Sequence, residues 1–410
     1  MDGQTERMEW IGRVMVGMRA VLSFPGHGTA VPLAWRNMLA DKRRLLRSTS
    51  GIAFAVLLML LQLGFRGAFL DSAVGVIRNI DGDILLTSSS KFKFAGKDPF
   101  SRRQLYAARA VEGVESARPI YAEWPLSWKN PQTGKIYAAQ VLAFDPDQPV
   151  FLFPEVREHL EALRQPDTAL SDRRGRRVLG FAPPGTLTEL SRREIRIIGN
   201  FALGPDFNSD GTVITSDRTF LKFFAPHRLA AGELADVEFG VIKVRPGYSV
   251  ERVQHALKQA LPASITVRTT AEWLAFETAF QDNDSPVGPI FMLGTAIGFI
   301  VGMMISYQIL YTDLSEQLPQ YATLKAMGYE NTYLAKVVLE QASFYALAGF
   351  LPAWLLGVCL YFILGEITLL PLRMTFGISV GSLALTIGMC VLSGCLAVRR
   401  VLSADPAEVF

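Results

Sequence analysis

The sequence is poor in both cysteine and charge. Its three cysteines, Cys359, Cys390 and Cys395, all lie in apolar blocks, so the polar part of the chain must fold without a disulfide. Charged residues make up 19% of the 410 residues, below the ~25% that is usual in soluble proteins. Half of the residues are hydrophobic, and they are concentrated in a few blocks. This composition indicates a membrane protein.

Sequence motifs for catalysis, metal binding and nucleic-acid binding are also missing. His159, His227 and His255 are scattered without metal-ligand spacing, and neither GxSxG nor HExxH occurs. A net charge of +3 without a run of Lys and Arg argues against a nucleic-acid partner. We therefore expect a non-catalytic chain that holds no metal and no cofactor.

Four apolar segments are long enough to cross a membrane, which takes about 20 residues for about 30 Å of hydrocarbon. Three of them run without a charged residue, over Val287–Tyr311, Gln341–Gly365 and Met374–Val398, and the first is centred on Ser48–Phe65. Lys and Arg residues concentrate before the first span, between the second and third spans, and after the fourth. The positive-inside rule then places both termini in the cytoplasm and the long segment after the first span outside it.

The predicted fold is a membrane protein with four transmembrane α-helices and a large α+β periplasmic domain inserted between helices 1 and 2. Its cytoplasmic and first-span segments are an N-terminal extension over 1–30, either an amphipathic helix or disordered, and a lead-in with the first span over 31–70. The remaining segments are the α+β domain over 71–286, the second span over 287–311, a cytoplasmic coupling loop over 312–336, the third span over 337–365, a short periplasmic loop over 366–373, the fourth span over 374–398 and a cytoplasmic tail over 399–410.

Strand and helix patterns alternate in the inserted segment. Asn130–Gly134 reads as a hairpin turn between two alternating runs, and 236–268 reads as a strand–helix–strand unit. The Pro- and Arg-rich stretch over 150–200 gives no clear assignment. These patterns predict an α+β domain, arranged in two lobes.

Small residues recur along one face of the second span. Gly294, Gly298, Gly302 and Ser306 are spaced four apart, which lets another helix backbone approach closely. The pattern predicts a helix–helix contact, and it leaves open whether the partner helix belongs to the same chain or to a second copy in a homodimer. No ionisable residue lies deep in the last three spans, which argues against an ion-coupled transporter.

The loop after the second span is too apolar for a simple solvated connector. Its apolar residues are Leu314, Leu318, Tyr321, Leu324 and Met327. Tyr321–Met327 indicates one or two helical turns, with Gly328 as the helix C-cap. The pattern predicts a short amphipathic helix at the membrane surface that docks onto a cytoplasmic partner.

Several stretches resemble the DevC-type permeases of ABC exporters. They are PLAWRNMLADKRRLLRSTSGIAFAVLLMLLQLGFRGAFLDSA within Val31–Ala73, PVFLFPEV, FALGPDFNSDGTVITSDRTFL, YQILYTDLSEQLPQYATLKAMGY and the ending SGCLAVRRVLSADPAEVF. The resemblance covers 31–410, and this family belongs to the wider MacB/FtsX-like permease superfamily of type VII ABC transporters.

The resemblance implies a permease subunit of a tripartite exporter that moves a lipid-like or other hydrophobic substrate. It also implies localisation in a bacterial inner membrane, with both termini in the cytoplasm and the large domain in the periplasm. Its implied partners are a cytoplasmic ATP-binding cassette ATPase, a periplasmic adaptor, an outer-membrane channel, a second copy in a homodimer, and membrane lipids. The sequence lacks the GxxxxGK[ST] phosphate loop, so ATP would be bound by the partner subunit. The matching motif assigns coupling to the ATPase to Glu316, Tyr321, Lys325, Met327 and Gly328.

Other readings of the same architecture remain open. An FtsX-like mechanotransmitter, or a lipoprotein-extracting permease, would use the ATPase without moving solute through the membrane. A membrane-anchored sensor is a further alternative, although the predicted cytoplasmic segments are too short to contain a signalling module.

Overall fold

The computed structural model describes residues 42–225, 236–326 and 331–402. The predicted N-terminal extension over 1–30 lies outside the described residues, as does 403–410 of the predicted tail. The described residues form two compact units. The membrane unit comprises the residues up to Gly64, Phe291–Tyr361 and those from Arg373 on, and the inserted domain comprises Phe65–Ile290 and Phe362–Leu372.

The elements follow one another along the chain in a mixed order. The helices are α1 Lys42–Ala73, α2 Gly75–Arg78, α3 Arg103–Arg109, α4 Pro154–Glu158, α5 Leu160–Leu163, α6 Asp217–Phe224, α7 Val250–Ala260, α8 Thr270–Ala279, α9 Val287–Ala326, α10 Asn331–Thr368 and α11 Phe376–Leu402. The strands are β1 Ile84–Ser88, β2 Phe100–Ser101, β3 Val114–Lys129, β4 Ile136–Phe144, β5 Thr168–Asp172, β6 Leu187–Leu190, β7 Arg193–Phe201, β8 Thr212–Ser216, β9 Asp236–Val237, β10 Phe239–Val244 and β11 Ile265–Thr269.

Four of the described helices, α1, α9, α10 and α11, are long and apolar enough to cross a membrane. The α+β domain lies between the first of them and the rest, so the predicted fold class is confirmed. Helix α9 begins at Val287, as predicted, but it continues to Ala326 through most of the segment that the sequence predicts as a loop. The prediction ended the span near Asp313 because a charge ends the hydrocarbon crossing. A charge does not end a helix, and the helix also continues through Pro319.

The inserted domain is built on a nine-stranded sheet in the order β11-β1-β10-β3-β4-β8-β5-β7-β6. Strand β3 is long, and its pairing with β4 shifts register between Glu123 and Leu126, at Pro125. The first half of β3 pairs with β10, and its end also pairs with β6 through Trp128 and Leu190. The closed lobe is therefore formed by β3, β4, β8, β5, β7 and β6. Strand β3 belongs to both lobes, because its pairing changes between Ile120 and Tyr121 from β10 of the open lobe to β4 of the closed lobe.

The sheet is covered on both faces, because alternate side chains of one strand enter two different cores. In β1, Ile84 and Leu86 belong to one core and Leu85 to the other. Helices α3 and α7 contribute Leu105 and Leu257 to the first core. Helix α8 contributes Trp273, which is fully buried, to the second. Burial on both faces explains why β1 reads as a continuous apolar run instead of an alternating one.

The outer edge of the sheet at β11 is closed by side chains. Gln254 of α7 donates a hydrogen bond to the carbonyl of Val267 at 3.3 Å, and the backbone N–H of Thr269 donates to Glu272 at 2.9 Å. Glu272 also forms a capping box with Thr269 at the start of α8, which holds its carboxylate in place. These bonds satisfy edge groups that would otherwise be open to another strand.

Candidate functional site

The small-residue face of α9 packs against α1 of the same chain. A Cβ atom added at Gly294 would lie 2.5 Å from the side-chain Cδ of Gln62, and one added at Gly298 would lie 2.9 Å from Cγ of Met59. Distances this short leave no room for a side chain on α9, so the glycines are what permits the approach of the two helices.

The same face continues towards the end of the span and contacts two helices. A Cβ atom added at Gly302 would lie 3.0 Å from Cβ of Ala55 in α1 and 2.4 Å from Sδ of Met389 in α11. Ser306 is buried, and its hydroxyl lies 3.4 Å from Sγ of Cys390 in α11. All four small residues are thus used within one chain, and a homodimer would have to form through a different surface.

A second face of α9 is exposed and apolar. Its residues are spaced at intervals of three or four, with one interval of seven, as in the seam of a coiled coil. They are Ile290, Leu293, Ile297, Ile300, Met304 and Tyr311.

The predicted coupling residues lie at the end of α9 and just beyond it. Glu316 is exposed on the last part of the helix, and the helical backbone continues through Tyr321 and Lys325. Met327 and Gly328 lie outside the described residues. The predicted coupling segment is therefore continuous with the second apolar helix up to Ala326, and is not a separate short helix. A displacement of this segment along the helix axis would be carried into the span, because the helical backbone is continuous, although Pro319 donates no hydrogen bond to it.

A buried carboxylate that no sequence motif indicated lies close to this segment. Asp313 of α9 is buried and accepts hydrogen bonds from the hydroxyl of Tyr345 at 2.5 Å and from Nε2 of Gln341 at 3.1 Å. Both donors belong to α10 and are themselves buried. Their i, i+4 spacing at the start of the third span was the available signal, since two polar residues on one helical turn can point at a common acceptor.

Further polar bonds connect the membrane helices. The hydroxyl of Ser393 in α11 donates to the carbonyl of Met303 in α9 at 2.7 Å, and the hydroxyl of Tyr361 in α10 donates to the carbonyl of Leu60 in α1. Helix α10 is continuous through Pro352. Such bonds hold helices together where lipid removes the hydrophobic driving force.

The inserted domain contains a buried ion pair with no counterpart in the predictions. Nζ of Lys91 lies 2.7 Å from Oε2 of Glu238, and both side chains are almost fully buried, at 0% and 5% exposed. Nζ of Lys91 also lies 4.6 Å from the centre of the Phe239 ring. Burial lowers the pKa of Lys91 and raises the pKa of Glu238, so each charge depends on the other.

The two histidines that the structure describes lie at different helices. His159 places Nδ1 2.7 Å from the carbonyl oxygen of Glu155, His255 is exposed on α7, and His227 lies outside the described residues. Among the residues that the structure describes, no group of three His, Cys, Asp or Glu side chains could hold a metal ion.

Comparison with known families then assigns the membrane part of the chain. Residues 292–406 match the family described as FtsX-like permease C-terminal. This segment is therefore similar to the C-terminal part of FtsX-like permeases. It contains α10, α11 and all of α9 except its first turn and a half. The contacts among these three helices therefore lie within the matched segment, whereas those with α1 join it to a helix that precedes it. The predicted resemblance to the MacB/FtsX-like superfamily is confirmed, whereas the narrower resemblance to DevC-type permeases stays a prediction.

Two solved structures are also similar to part of the chain. One is the periplasmic region of MacB from Actinobacillus actinomycetemcomitans, with 10% identity and a TM-score of 0.33, covering 48% of this chain and 92% of that one. The other is the extracellular domain of the noncanonic ABC-type transporter YknZ from Gram-positive bacteria, with 8% identity and a TM-score of 0.31, covering 46% and 98%. TM-scores this low support no inference about function. No curated protein matches the sequence.

Proposed function

We propose that this chain is the permease subunit of a MacB-like ABC exporter. It would transmit an ATP-driven conformational change from a separate ATPase to the inserted domain, and so export a lipid-like or other hydrophobic substrate. The observation that carries the proposal is the FtsX-like permease domain over 292–406, combined with an α+β domain inserted after the first apolar helix. On this proposal the chain itself is non-catalytic.

The proposed complex contains the partners that the resemblance implies. They are a cytoplasmic ATPase, a periplasmic adaptor, an outer-membrane channel and a second copy of this chain. The structural support is the continuous helix α9, which joins the span to the proposed coupling residues Glu316, Tyr321 and Lys325. A rigid helix transmits a displacement better than a flexible loop, since its hydrogen bonds resist bending.

Coupling is tested by the ATPase rate of a reconstituted complex. Tyr321→Ala and Met327→Glu should each reduce the stimulation of the ATPase by the permease about 30-fold, since truncating an interface hot spot costs about 2 kcal/mol. Glu340→Ala is the control, because Glu340 is exposed on α10 and lies outside the coupling motif. Unchanged stimulation in both test variants would remove the coupling assignment.

The proposed homodimer is tested on the exposed face of α9. Ile297→Cys, in a chain with serine at the three native cysteine positions, should form a cross-linked dimer in membranes, because seam residues of a coiled coil lie against their equivalents. Ile297 is 53% exposed, and Leu355 of α10, at 63%, is the matched control. We expect no cross-link from Leu355→Cys. Equal cross-linking at both positions would indicate random collision and contradict a specific seam.

Whether the complex exports a hydrophobic substrate is tested by identifying the molecules that co-purify with it. Co-purification of the complex, followed by identification of lipids and peptides, should recover a hydrophobic substrate that is lost when the ATPase is inactive. Recovery of a lipoprotein, or of a periplasmic hydrolase without any small substrate, would instead favour the lipoprotein-extracting or mechanotransmitting alternative.

A further inference from the structure

A two-point ion pair joins two segments of the inserted domain that lie 216 residues apart. Nε of Arg66, near the end of α1, donates to Oδ1 of Asp282 at 2.7 Å, and Nη2 of the same arginine donates to Oδ2. The side chains are 29% and 22% exposed. A two-point bond between guanidinium and carboxylate fixes both a distance and an orientation, which a single-point ion pair does not.

Asp282 sits in a turn of unusual geometry. Phe280–Asp284 forms one turn of π-helix, closed by a hydrogen bond from the N–H of Ser285 to the carbonyl of Phe280 at 2.9 Å. A Cβ atom added at Gly288 would lie 2.3 Å from the carbonyl oxygen of Asp282, so the turn is packed directly on the first turn of α9. Single π turns are rare and often occur at functional positions.

The turn is also anchored to the core of the inserted domain. Gln281 donates to Oε1 of Glu277 at 2.8 Å, and Oε2 of Glu277 accepts a bond from the backbone N–H of Phe94 at 2.7 Å. Glu277 is 1% exposed, and burial raises its pKa. The carboxylate that binds Arg66 therefore belongs to a turn that hydrogen bonds connect to the core of the inserted domain.

We propose that Arg66 and Asp282 are positioning residues that hold together the two connections through which the inserted domain continues into the first and second apolar helices. Arg66 belongs to α1, and Asp282 lies five residues before the start of α9. With the pair formed, both connections move as one body. The inference rests on the proposed function, in which movement must pass between the membrane helices and the inserted domain.

The first arm of the test uses the full-length chain alone in lipid nanodiscs. Arg66→Asp and Asp282→Arg should each raise the amide hydrogen exchange of peptides covering 62–70 and 280–290 about tenfold. The exchanged pair, Arg66→Asp with Asp282→Arg, should return to within about twofold of wild type, because the two charges are still opposite. Arg66→Lys should keep only part of the wild-type protection against hydrogen exchange, since an ammonium cannot make the two-point bond.

A nearby ion pair supplies the matched control. Arg78 contacts Asp71 through one nitrogen at 2.8 Å, and the two side chains are 53% and 40% exposed. Arg78→Asp should leave exchange in both peptides unchanged. Should the charge reversals prevent folding, Asp282→Asn and Arg66→Lys give the same comparison with smaller perturbation. Wild-type exchange in all Arg66 and Asp282 variants would overturn the inference.

The second arm uses the complex with its ATPase. The single variants should hydrolyse ATP at the wild-type basal rate but lose the ATP-dependent change in hydrogen exchange of the inserted domain, and the exchanged pair should restore it. A response that persists in the single variants would overturn the transmitting role. If the wild-type chain binds no ATPase, the proposed function fails, and the first arm still decides whether the pair holds the two connections together.

Discussion

Replacing Lys91 with methionine should lower the free energy of unfolding of the inserted domain by about 3–5 kcal/mol, the usual cost of breaking a buried ion pair. The substitution keeps a long apolar side chain in the space that Lys91 fills, between Glu238 and the Phe239 ring. Its main effect is therefore to leave the Glu238 carboxylate buried without its cation. The measurement is hydrogen exchange of peptides covering β1 and β10 in the full-length chain.

The loss of unfolding free energy in Lys91→Met should depend on pH in a defined direction. Burial raises the pKa of Glu238 in the folded protein, and the loss of Lys91 raises this pKa further. A carboxyl group whose folded pKa is raised contributes stability below its unfolded pKa, and that contribution is lost as the pH rises through the folded pKa. The Lys91→Met variant should accordingly be closer to wild type at about pH 5 than at about pH 8.

An exposed ion pair in the same domain is the control for this variant. Lys129 pairs with Glu189, and the two side chains are 42% and 44% exposed. Lys129→Met should cost less than about 1 kcal/mol, because water solvates Glu189 when its partner is removed. Equal losses for the two lysine variants would show that burial of the Lys91–Glu238 pair is not the cause.

Replacing Gly302 with leucine should destabilise the membrane unit by about 3 kcal/mol or more, through overpacking at a contact of three helices. Even a Cβ atom at this position would lie 2.4 Å from Sδ of Met389 and 3.0 Å from Cβ of Ala55. The sulfur can move aside because the methionine side chain is flexible. The alanine methyl is fixed to the backbone of α1, so α1 and α9 would have to separate.

The matched control is a glycine of the same unit that faces open space. A Cβ atom at Gly381 in α11 would have nothing within 4 Å. Gly381→Leu adds the same apolar surface and the same gain in hydropathy without a clash. The midpoint of thermal unfolding in detergent should fall for Gly302→Leu and stay within about 2 °C of wild type for Gly381→Leu. Equal midpoints in the two variants would contradict the packing of α9 on α1 and α11.

Much of the inserted domain could be predicted where local signals were strong. Asn130–Gly134 contains Pro and Gly between two alternating runs, and the structure places the turn between β3 and β4 there. The predicted strand–helix–strand unit over 236–268 corresponds to β10, α7 and β11. In both cases the periodicity and the turn residues lie within a few positions of the elements they define.

The stretch over 150–200 could not be assigned, for a physical reason seen at its hairpin. Strands β6 and β7 are joined by Ser191 and Arg192, both with positive φ, of 51° and 64°. A two-residue hairpin of this kind usually carries Asn-Gly or Asp-Gly, which adopt positive φ at little cost. Here the pairing of β6 with β7 and β3 imposes that conformation, so the sequence itself gave no turn signal.

The candidate site, too, could be predicted from the sequence only in part. The spacing of Gly294, Gly298, Gly302 and Ser306 predicted a close helix contact, but the pattern reads one helix only and could not choose between α1 of the same chain and a second copy. Asp313 was passed over because its donors, Gln341 and Tyr345, come from another helix.

The sequence by itself determined that the chain has four segments apolar and long enough to cross a membrane, and that an α+β domain is inserted after the first. Hydropathy and periodicity are properties of neighbouring residues, so they can be read without knowing the fold. Only the tertiary structure decided that β3 and β6 close one lobe, that Lys91 is neutralised by Glu238, and that Arg66 meets Asp282. Each of these contacts joins residues far apart in the chain, and such pairings depend on how the whole sheet and the long helices pack.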